Sequence, residues 1–350
     1  MKKKSFCFFW CQLLLFVPLF GGCVSSSRDR SDHFDGKRFF NLFGVEAEKS
    51  FSDLIKWNVT ETRASWPEKV ENQFQPDFEL IANPSRKVGD VTVTLVNHVT
   101  FLIQVAGKNL ITDPVFSERA SPLSFLGPKR VHPPGLTIAQ LPTIDFVLVS
   151  HNHYDHMDVE SLKEIEKRFH PLFILPLANQ QFLPFVPKER IVELDWWQSH
   201  TVSEAMKITL SPAQHWSART PFDKRESLWG AFVIEAQERR IYFAGDTGYG
   251  PHFNLTRERL GEMHLSFLPI GAYEPRWFMK ESHMNPEDAV LAHQDLKSQL
   301  SIGMHFGTFQ LTNEAIDQPL IDLKTALEKH QAKNFITIGV GQTRNFKIGP

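Results

Sequence analysis

The segment that most constrains this chain is residues 147–158, with the sequence VLVSHNHYDHMD. A short apolar run ends at Ser150, and the next six residues carry four side chains that can bind metal ions: His151, His153, Asp155 and His156. Two imidazoles two residues apart at the end of an extended segment point the same way, so they can share one metal ion. Asp155 and His156 come where the chain turns into a helical pattern, so we expect them to face a second metal ion.

Three further runs typical of β-strands each lead into a His or an Asp. These additional candidate ligands are His215, Asp246 and His305. Glycines beside Asp246 and His305 would let the backbone approach a metal ion closely. A single His after a strand is commonly a core or surface residue. Three such residues behind the first cluster favour a shared metal centre instead.

Several longer strings between Val91 and Arg344 narrow the interpretation. They are Leu110–Pro114, Arg119–Arg130, Ser150–Asp158, Glu193–Trp197, Pro212–Trp216, Leu228–Gly230, Phe243–Tyr249 and Pro269–Lys280. On these strings the sequence resembles the metallo-β-lactamase superfamily, and within it the branch of N-acylphosphatidylethanolamine-hydrolysing phospholipase D. The ligand pattern is specific to the superfamily, whereas Pro269–Lys280 (PIGAYEPRWFMK) points to the branch. The sequence departs at Phe125, where the animal enzymes have a Tyr near the substrate headgroup.

The resemblance implies two zinc ions per chain, with Asp246 bridging both. The remaining ligands divide into a three-histidine set, His151, His153 and His215, and a mixed set, Asp155, His156 and His305. Neutral imidazoles suit zinc, and a carboxylate with two oxygens can bridge two cations. Other histidines are expected to be bystanders or to contact the ligands indirectly; they include His98, His252, His283 and His293. Among these we favour His283 as functional because it follows Pro269–Lys280, although a plain surface role stays open.

The charge of such a centre bears on its substrate. Two zinc ions bring about +4, and two carboxylates with a hydroxide return about −3, which leaves a site near +1. This charge favours a singly anionic phosphodiester over a neutral ester. The expected reaction is hydrolysis of N-acylphosphatidylethanolamine to N-acylethanolamine and phosphatidic acid, with catalytic roles for Asp155, Asp246 and His283.

Two other functions stay open. One is a lactonase or other carbonyl hydrolase of the same fold in the cell envelope. The other is a catalytically silent envelope lipoprotein whose metal ions only hold the fold together. A nucleic-acid partner is not expected, since 38 basic residues face 40 acidic ones and the formal net charge is −2. The sequence leaves open whether the protein forms a homodimer.

Residues 1–23 are predicted to be a lipoprotein-type signal peptide. Lys2 to Lys4 form a basic head, a nearly continuous apolar run follows, and Gly21-Gly22-Cys23 ends the segment. Cleavage before Cys23 and lipidation of its sulfur would anchor the protein to a membrane in the bacterial cell envelope, on the non-cytoplasmic side. Phe20 stands where Leu is usual, so a noncleaved anchor is the alternative. All three cysteines lie in this segment, which excludes a thiol nucleophile from the mature domain.

The rest of the chain is predicted to comprise a tether and amino-terminal arm, residues 24–60, and a hydrolase domain, residues 61–350. Runs typical of strands are Val91–Val96, Phe101–Ala106, Leu110–Thr112, Phe146–Val149, Phe173–Leu175, Lys207–Leu210, Ala231–Glu235, Ile241–Ala244, Leu265–Leu268 and Ser301–Met304. Helical patterns are Asp158–Phe169, Pro286–Leu296 and Gln318–His330. This order predicts an α/β fold, an αββα sandwich of two facing mixed sheets flanked by helices. The aromatic segment Arg38–Phe51 either packs across the domain or faces a membrane.

Overall fold

The computed structural model describes residues 30–46 and 48–349. Its strands are β1 (Asp90–Asn97), β2 (Thr100–Val105), β3 (Lys108–Thr112), β4 (Phe146–Leu148), β5 (Leu172–Pro176), β6 (Ile191–Leu194), β7 (Ser199–Ser203), β8 (Met206–Ser211), β9 (Ala231–Ala236), β10 (Arg239–Phe243), β11 (Leu265–Pro269), β12 (Leu300–Met304), β13 (Phe335–Ile336) and β14 (Thr343–Lys347). Its helices are α1 (Phe51–Thr60), α2 (Phe78–Ala82), α3 (Val159–Phe169), α4 (His252–Leu260), α5 (Arg276–Met279), α6 (Pro286–Asp295) and α7 (Gln318–Lys329). The expected signal peptide and the three cysteines lie outside the described residues. Within those residues, no helix combines the length and the apolar character needed to cross a membrane.

The strands form two mixed sheets of seven strands each, in the orders β14-β1-β2-β3-β4-β5-β6 and β13-β12-β11-β10-β9-β8-β7. In the first sheet β1 to β3 pair antiparallel and β3 to β6 pair parallel. In the second sheet β8 to β10 pair antiparallel and β10 to β13 pair parallel. Six consecutive strands of one sheet therefore have the same order of antiparallel and parallel pairs as six consecutive strands of the other. Helices flank the two sheets, and the predicted αββα sandwich is confirmed.

Alternating side chains of the central strands bury both faces of the first sheet. Phe101 in β2 points into the core between the sheets, where its ring centroid lies 4.5 Å from that of Phe267 in β11. The next residue, Leu102, packs on the opposite face in a cluster with Leu162 and Ile165 of α3. Because successive side chains of a strand point to opposite faces, strands buried on both sides are continuously apolar. This is why the central strands could be predicted from sequence.

Every strand and helix predicted from the sequence is present, with ends shifted by at most two residues. The elements that were not predicted lie mainly at the edges. In β7, with the sequence SHTVS, three of five residues are exposed, so an apolar run is absent. α1 falls in the predicted arm, although Ser50 and Asp53 form a capping box that marks its start. At α6, by contrast, the helix begins at Pro286 as predicted, with Asn285 as the capping residue.

The amino-terminal arm packs against the rest of the molecule. Phe39 is buried in the core between the sheets, and the Arg225 guanidinium lies 4.9 Å from the ring of Phe40. His33 stacks on Trp196 at 4.5 Å between ring centroids. Of the two interpretations of the aromatic segment, the structure favours packing across the domain.

Candidate metal centre

Each candidate ligand follows the carboxyl end of a strand. β4 leads into residues 151–156, β8 into His215, β10 into Asp246 and β12 into His305. Within the second sheet these strands run in one direction, because β8 and β10 are each antiparallel to β9 and β10 to β12 pair parallel. Their ends therefore share an edge, and the structure brings all seven predicted ligands together there.

The three-histidine set forms one compact group. His151 Nε2 lies 2.9 Å from His153 Nδ1, and His215 Nε2 lies 3.2 Å from the same nitrogen. The three ligand atoms all lie within 4.8 Å of one another. This spacing suits nitrogen ligands that share one metal ion.

The mixed set forms a second group. Asp155 Oδ2 lies 3.5 Å from His156 Nε2 and 3.3 Å from His305 Nε2. His98 Nε2 also reaches Asp155 Oδ2, at 3.1 Å. His98 is therefore an indirect partner of this set, within hydrogen-bond distance of a candidate ligand.

Asp246 lies between the two sets. Its Oδ2 is 3.2 Å from His156 Nε2 and 3.1 Å from His305 Nε2. The same oxygen is 4.0 Å from His151 Nε2 and 3.9 Å from His215 Nε2. This position is the one that a bridging carboxylate requires.

A layer of hydrogen bonds orients the ligand imidazoles from behind. His156 Nδ1 lies 2.7 Å from Asp113 Oδ2, the carboxylate that follows β3. Ser150 Oγ donates to the same oxygen at 2.6 Å and lies 3.0 Å from His151 Nδ1. Asp113 thus orients one imidazole of each set, directly or through Ser150. The third point of support is the Ser282 carbonyl, 2.9 Å from His215 Nδ1.

Several residues of this edge adopt left-handed backbone conformations. The φ angles of His98, Asp113 and His305 are 46°, 33° and 65°. Such angles are unfavourable for residues with a Cβ atom and concentrate at functional sites. Gly245, before Asp246, has a φ of 58°, and a Cβ atom there would lie 2.6 Å from Ser150 Cβ. Only glycine allows this close approach of the two ligand loops.

Burial and nearby charges shift the pKa values of the two ligand sets in different directions. Burial lowers the pKa of His153 to about 4 and that of His215 to about 3, so these imidazoles are neutral. Burial alone would raise the pKa of Asp246, but the charge of His156 and His305 holds it well below its usual range. Burial would likewise lower the pKa of His305, but Asp246 and Asp155 raise it to about 9. A metal ion at the mixed set would displace protons from imidazoles, since ligand imidazoles must be neutral.

The donor atoms fit a cation. His156 Nε2, His305 Nε2 and Asp246 Oδ1 are buried and make no hydrogen bond of normal geometry within the described part of the chain. An unsatisfied buried polar atom costs about 1–3 kcal/mol. A cation between these atoms would remove that cost, and imidazole nitrogens with carboxylate oxygens are a donor set that zinc accepts. The cluster is therefore suited to bind metal.

Three histidines outside the two ligand sets differ in their distance from the candidate metal centre. His283 Nδ1 lies 3.8 Å from Asp246 Oδ2, and burial lowers its pKa to about 3. His252 Nε2 lies 3.1 Å from Thr247 Oγ1, beside Asp246 in the chain. His293 Nδ1 lies 2.8 Å from the hydroxyl of Ser301 in β12. The structure therefore places His283 at the centre and not on the open surface.

Comparison with known proteins shows to which family the chain belongs. The family model described as a beta-lactamase superfamily domain matches residues 108–306. The chain is 34% identical over 320 residues to N-acyl-phosphatidylethanolamine-hydrolyzing phospholipase D 1 of Caenorhabditis elegans, covering 87% of this chain and 90% of that protein. The chain belongs to the metallo-β-lactamase superfamily. Within the superfamily it falls in the branch of N-acylphosphatidylethanolamine-hydrolysing phospholipase D, as the sequence predicted.

A further sequence relative and a solved structure were compared with the chain. The mitochondrial N-acyl-phosphatidylethanolamine-hydrolyzing phospholipase D of Saccharomyces cerevisiae is 36% identical over 228 residues, covering 63% of this chain and 48% of that protein. The solved structure of Igni18, a metallo hydrolase from Ignicoccus hospitalis, has a TM-score of 0.56 at 21% identity, covering 74% of this chain and 100% of that chain. At that identity the likeness concerns the fold alone. The superfamily assignment and the sequence relatives show that the protein is a metal-dependent hydrolase.

Sequence reasoning assigned no role to two residues of this superfamily site. Asp113 and Asn41 both contact the ligands or their backbone, and neither was named as functional. Asp113 satisfies the rule that found the downstream ligands, since it is an acidic residue directly after a β-like run. That rule does not reach Asn41, which lies in the arm.

We predict that Asp113→Asn weakens metal binding about 10-fold to 100-fold, because the partner that orients His156 and Ser150 is altered. Competition with a chromophoric chelator measures the affinity. Asp158→Asn is the matched control, because the Asp158 carboxylate accepts from the backbone of Phe116 and Ser117 but no candidate ligand donates to it. Wild-type affinity in Asp113→Asn, or an equal loss in both variants, would contradict the assigned role.

Proposed function

We propose that the protein is a zinc-dependent phosphodiesterase of the phospholipase D type, which hydrolyses N-acylphosphatidylethanolamine to N-acylethanolamine and phosphatidic acid. The observation that carries this proposal is the position of His283. The string that distinguishes the branch, Pro269–Lys280, precedes the loop that brings this imidazole to the seven candidate ligands.

The branch string supports His283 through specific contacts. Arg276 Nη1 donates to the His283 carbonyl at 2.8 Å, and its Nη2 pairs with Asp288 Oδ2 at 2.6 Å. The His283 backbone N–H donates to the Met279 carbonyl at 2.9 Å. The imidazole ring then lies 5.2 Å from that of His215, between ring centroids. The string therefore acts at the centre by holding His283.

The three-histidine set and the mixed set would hold one zinc ion each, with Asp246 shared between them. Bound zinc supplies Lewis acidity at the phosphoryl oxygens and makes hydroxide available from water near neutral pH. Asp155 and Asp246 would fix the two ions in place. Their buried negative charge is the counterpart of the cations, so neither carboxylate is free to act as a general acid.

His283 acts on the leaving group in this proposal. A water oxygen attacks phosphorus and gives up a proton, the bond from phosphorus to the ethanolamine oxygen breaks, and that oxygen takes up a proton in turn to give the alcohol. With a pKa of about 3 the imidazole is neutral at physiological pH. It can therefore hold the departing oxygen by an N–H hydrogen bond without adding positive charge to the centre.

An exposed apolar loop that leads into Arg130 supports a phospholipid as the substrate. Leu123, Phe125 and Leu126 are exposed, and Phe125 retains 76% of its full exposure. At the end of this loop, Arg130 forms an isolated β-bridge with Phe309. The ring centroid of Phe309 lies 5.3 Å from that of His98. Acyl chains could therefore lie on this loop while the headgroup reaches the centre. Phe125 lacks the hydroxyl of a Tyr, so we expect looser headgroup selection and weak activity on ordinary phosphatidylethanolamine.

The two cations of this loop have structural partners. Lys129 Nζ pairs with Glu118 Oε1 at 2.8 Å on the surface. Arg130 is buried and donates to the carbonyls of Ser117 and Val115, both at 2.9 Å. Lys129 is therefore engaged in a surface ion pair. Arg130 fixes the backbone of the loop.

We also propose that the protein is anchored in the bacterial cell envelope by lipid on Cys23, on the non-cytoplasmic side. The basic head, apolar run and Gly21-Gly22-Cys23 support this anchor. Cys23→Ser should abolish metabolic labelling by a fatty-acid analogue and block normal processing of the amino-terminal segment. Unchanged labelling in the variant would contradict a lipid on Cys23.

The reaction is tested by product analysis in water labelled with oxygen-18. Attack at phosphorus places the label in the phosphate of phosphatidic acid and leaves N-acylethanolamine unlabelled. His283→Gln should retain its metal and the position of the label but turn over about 100-fold more slowly. His293→Gln, a change at a buried histidine away from the ligands, serves as the control and should retain activity.

Label in a released fatty acid would instead indicate a carbonyl hydrolase, the second function that the sequence allows. In that case the phospholipase D assignment would be wrong, whereas the assignment of the metal centre would be unaffected. Wild-type turnover in His283→Gln would remove the role given to this residue.

A further inference from the structure

Asn41, in the amino-terminal arm, contacts the backbone of a candidate metal ligand. Its Nδ2 donates to the His215 carbonyl at 3.0 Å, and the His215 N–H donates to Asn41 Oδ1 at 3.0 Å. The two residues are 174 positions apart in the chain. One side-chain amide thus satisfies both backbone groups of His215, in the way that a neighbouring strand would.

His215 needs such a partner because it lies beyond its strand. β8 ends at Ser211, so the sheet no longer supplies hydrogen bonds to the backbone of His215. The residue is fully buried, and within the part of the chain that the structure describes its Nδ1 is held by the Ser282 carbonyl. Without Asn41, two buried backbone groups would lose their partner, and each such loss costs about 1–3 kcal/mol. The loop would relieve that cost by moving, and the imidazole would move with it.

Asn41 is itself fixed in place. Its backbone N–H donates to Glu46 Oε1 at 2.8 Å, and its Nδ2 also donates to the Val45 carbonyl at 2.9 Å. Glu46 in turn pairs with Arg225 at 2.7 Å. The amide is therefore held in its orientation before any metal binds, which is what a positioning residue requires.

The arm reaches the centre at a second point. Lys49 Nζ donates to the Trp277 carbonyl at 3.2 Å and pairs with Glu281 Oε2 at 3.0 Å. The Glu281 carbonyl accepts from the side chain of Gln214, the residue before His215. The arm thus joins the loop of His215 to the loop that leads into His283. It also lies outside residues 108–306, the part that matches the superfamily domain.

We propose that Asn41 is a positioning residue of the metal centre, which sets the affinity of the three-histidine set through the backbone of His215. The amino-terminal arm is then part of the functional site, although none of its residues is a ligand. This inference rests on the metal centre of the proposed function, and it adds a residue that neither the ligand motif nor the matched superfamily domain contains.

The test compares zinc affinity in full-length wild type, Asn41→Ala and Asn313→Ala by titration against a chromophoric chelator. Asn313 is a matched control because it is also a buried asparagine that holds the arm, accepting from Trp57 Nε1 at 3.0 Å, but it contacts no ligand. Asn41→Ala should weaken one of the two zinc sites about 10-fold, the lower end of the range seen when outer partners of ligands are removed. Asn313→Ala should leave both sites as in wild type.

The absorption spectrum of bound cobalt provides a second measurement. General loosening of the fold would not shift the bands of one site alone. In cobalt-substituted Asn41→Ala, the absorption bands of the site that contains His215 should shift, while those of the other site stay as in wild type. If Asn41→Ala does not fold, Asn41→Ser makes the same comparison, because a hydroxyl cannot reach both backbone groups.

Two results would overturn the inference: wild-type affinity and spectrum in Asn41→Ala, or an equal loss of affinity in Asn313→Ala. Failure of the wild type to bind zinc would overturn the metal centre itself. That outcome is distinct, because it appears before any variant is compared.

Discussion

Seven ionisable side chains, Asp246 and the six other candidate ligands, meet at one edge of the fold, and the rest of the structure depends on making this concentration of charge tolerable. Unpaired buried charges are expensive, so they must be paired or must bind a metal ion. The fold meets this demand by ending several strands of like direction at one edge, where His151, His215 and His305 meet Asp246. Left-handed backbone at His305 and the missing Cβ of Gly245 are the local cost of that convergence.

Ligand geometry is then set by residues that no metal ion would touch. Asp113 connects the two ligand sets through His156 and Ser150, the Ser282 carbonyl holds the ring of His215, and Asn41 holds its backbone. These supports come from a strand end, a loop near the branch string and the arm. The ligands are therefore supported by parts of the chain far from residues 150–158, the arm among them.

Much of the fold could be predicted because its central strands are short, apolar and buried on both faces. Edge strands such as β7 were not predicted, since their alternating polar residues give no continuous apolar run. The ligands could be found by one rule, a His or Asp just after a strand. The rule alone did not assign His98 or Asp113 a role, because spacing does not distinguish a ligand from a residue that contacts one. Asn41 could not be predicted at all, since its partner lies 174 residues away.

We propose that seven side chains hold two metal ions that share Asp246. Anomalous diffraction at the zinc absorption edge, on crystals of the zinc-loaded protein, would locate these ions. We expect two peaks about 3.5–4 Å apart, one against the three-histidine set and one against the mixed set, with the Asp246 carboxylate between them. A single peak, or two peaks with Asp246 turned away from one of them, would contradict it.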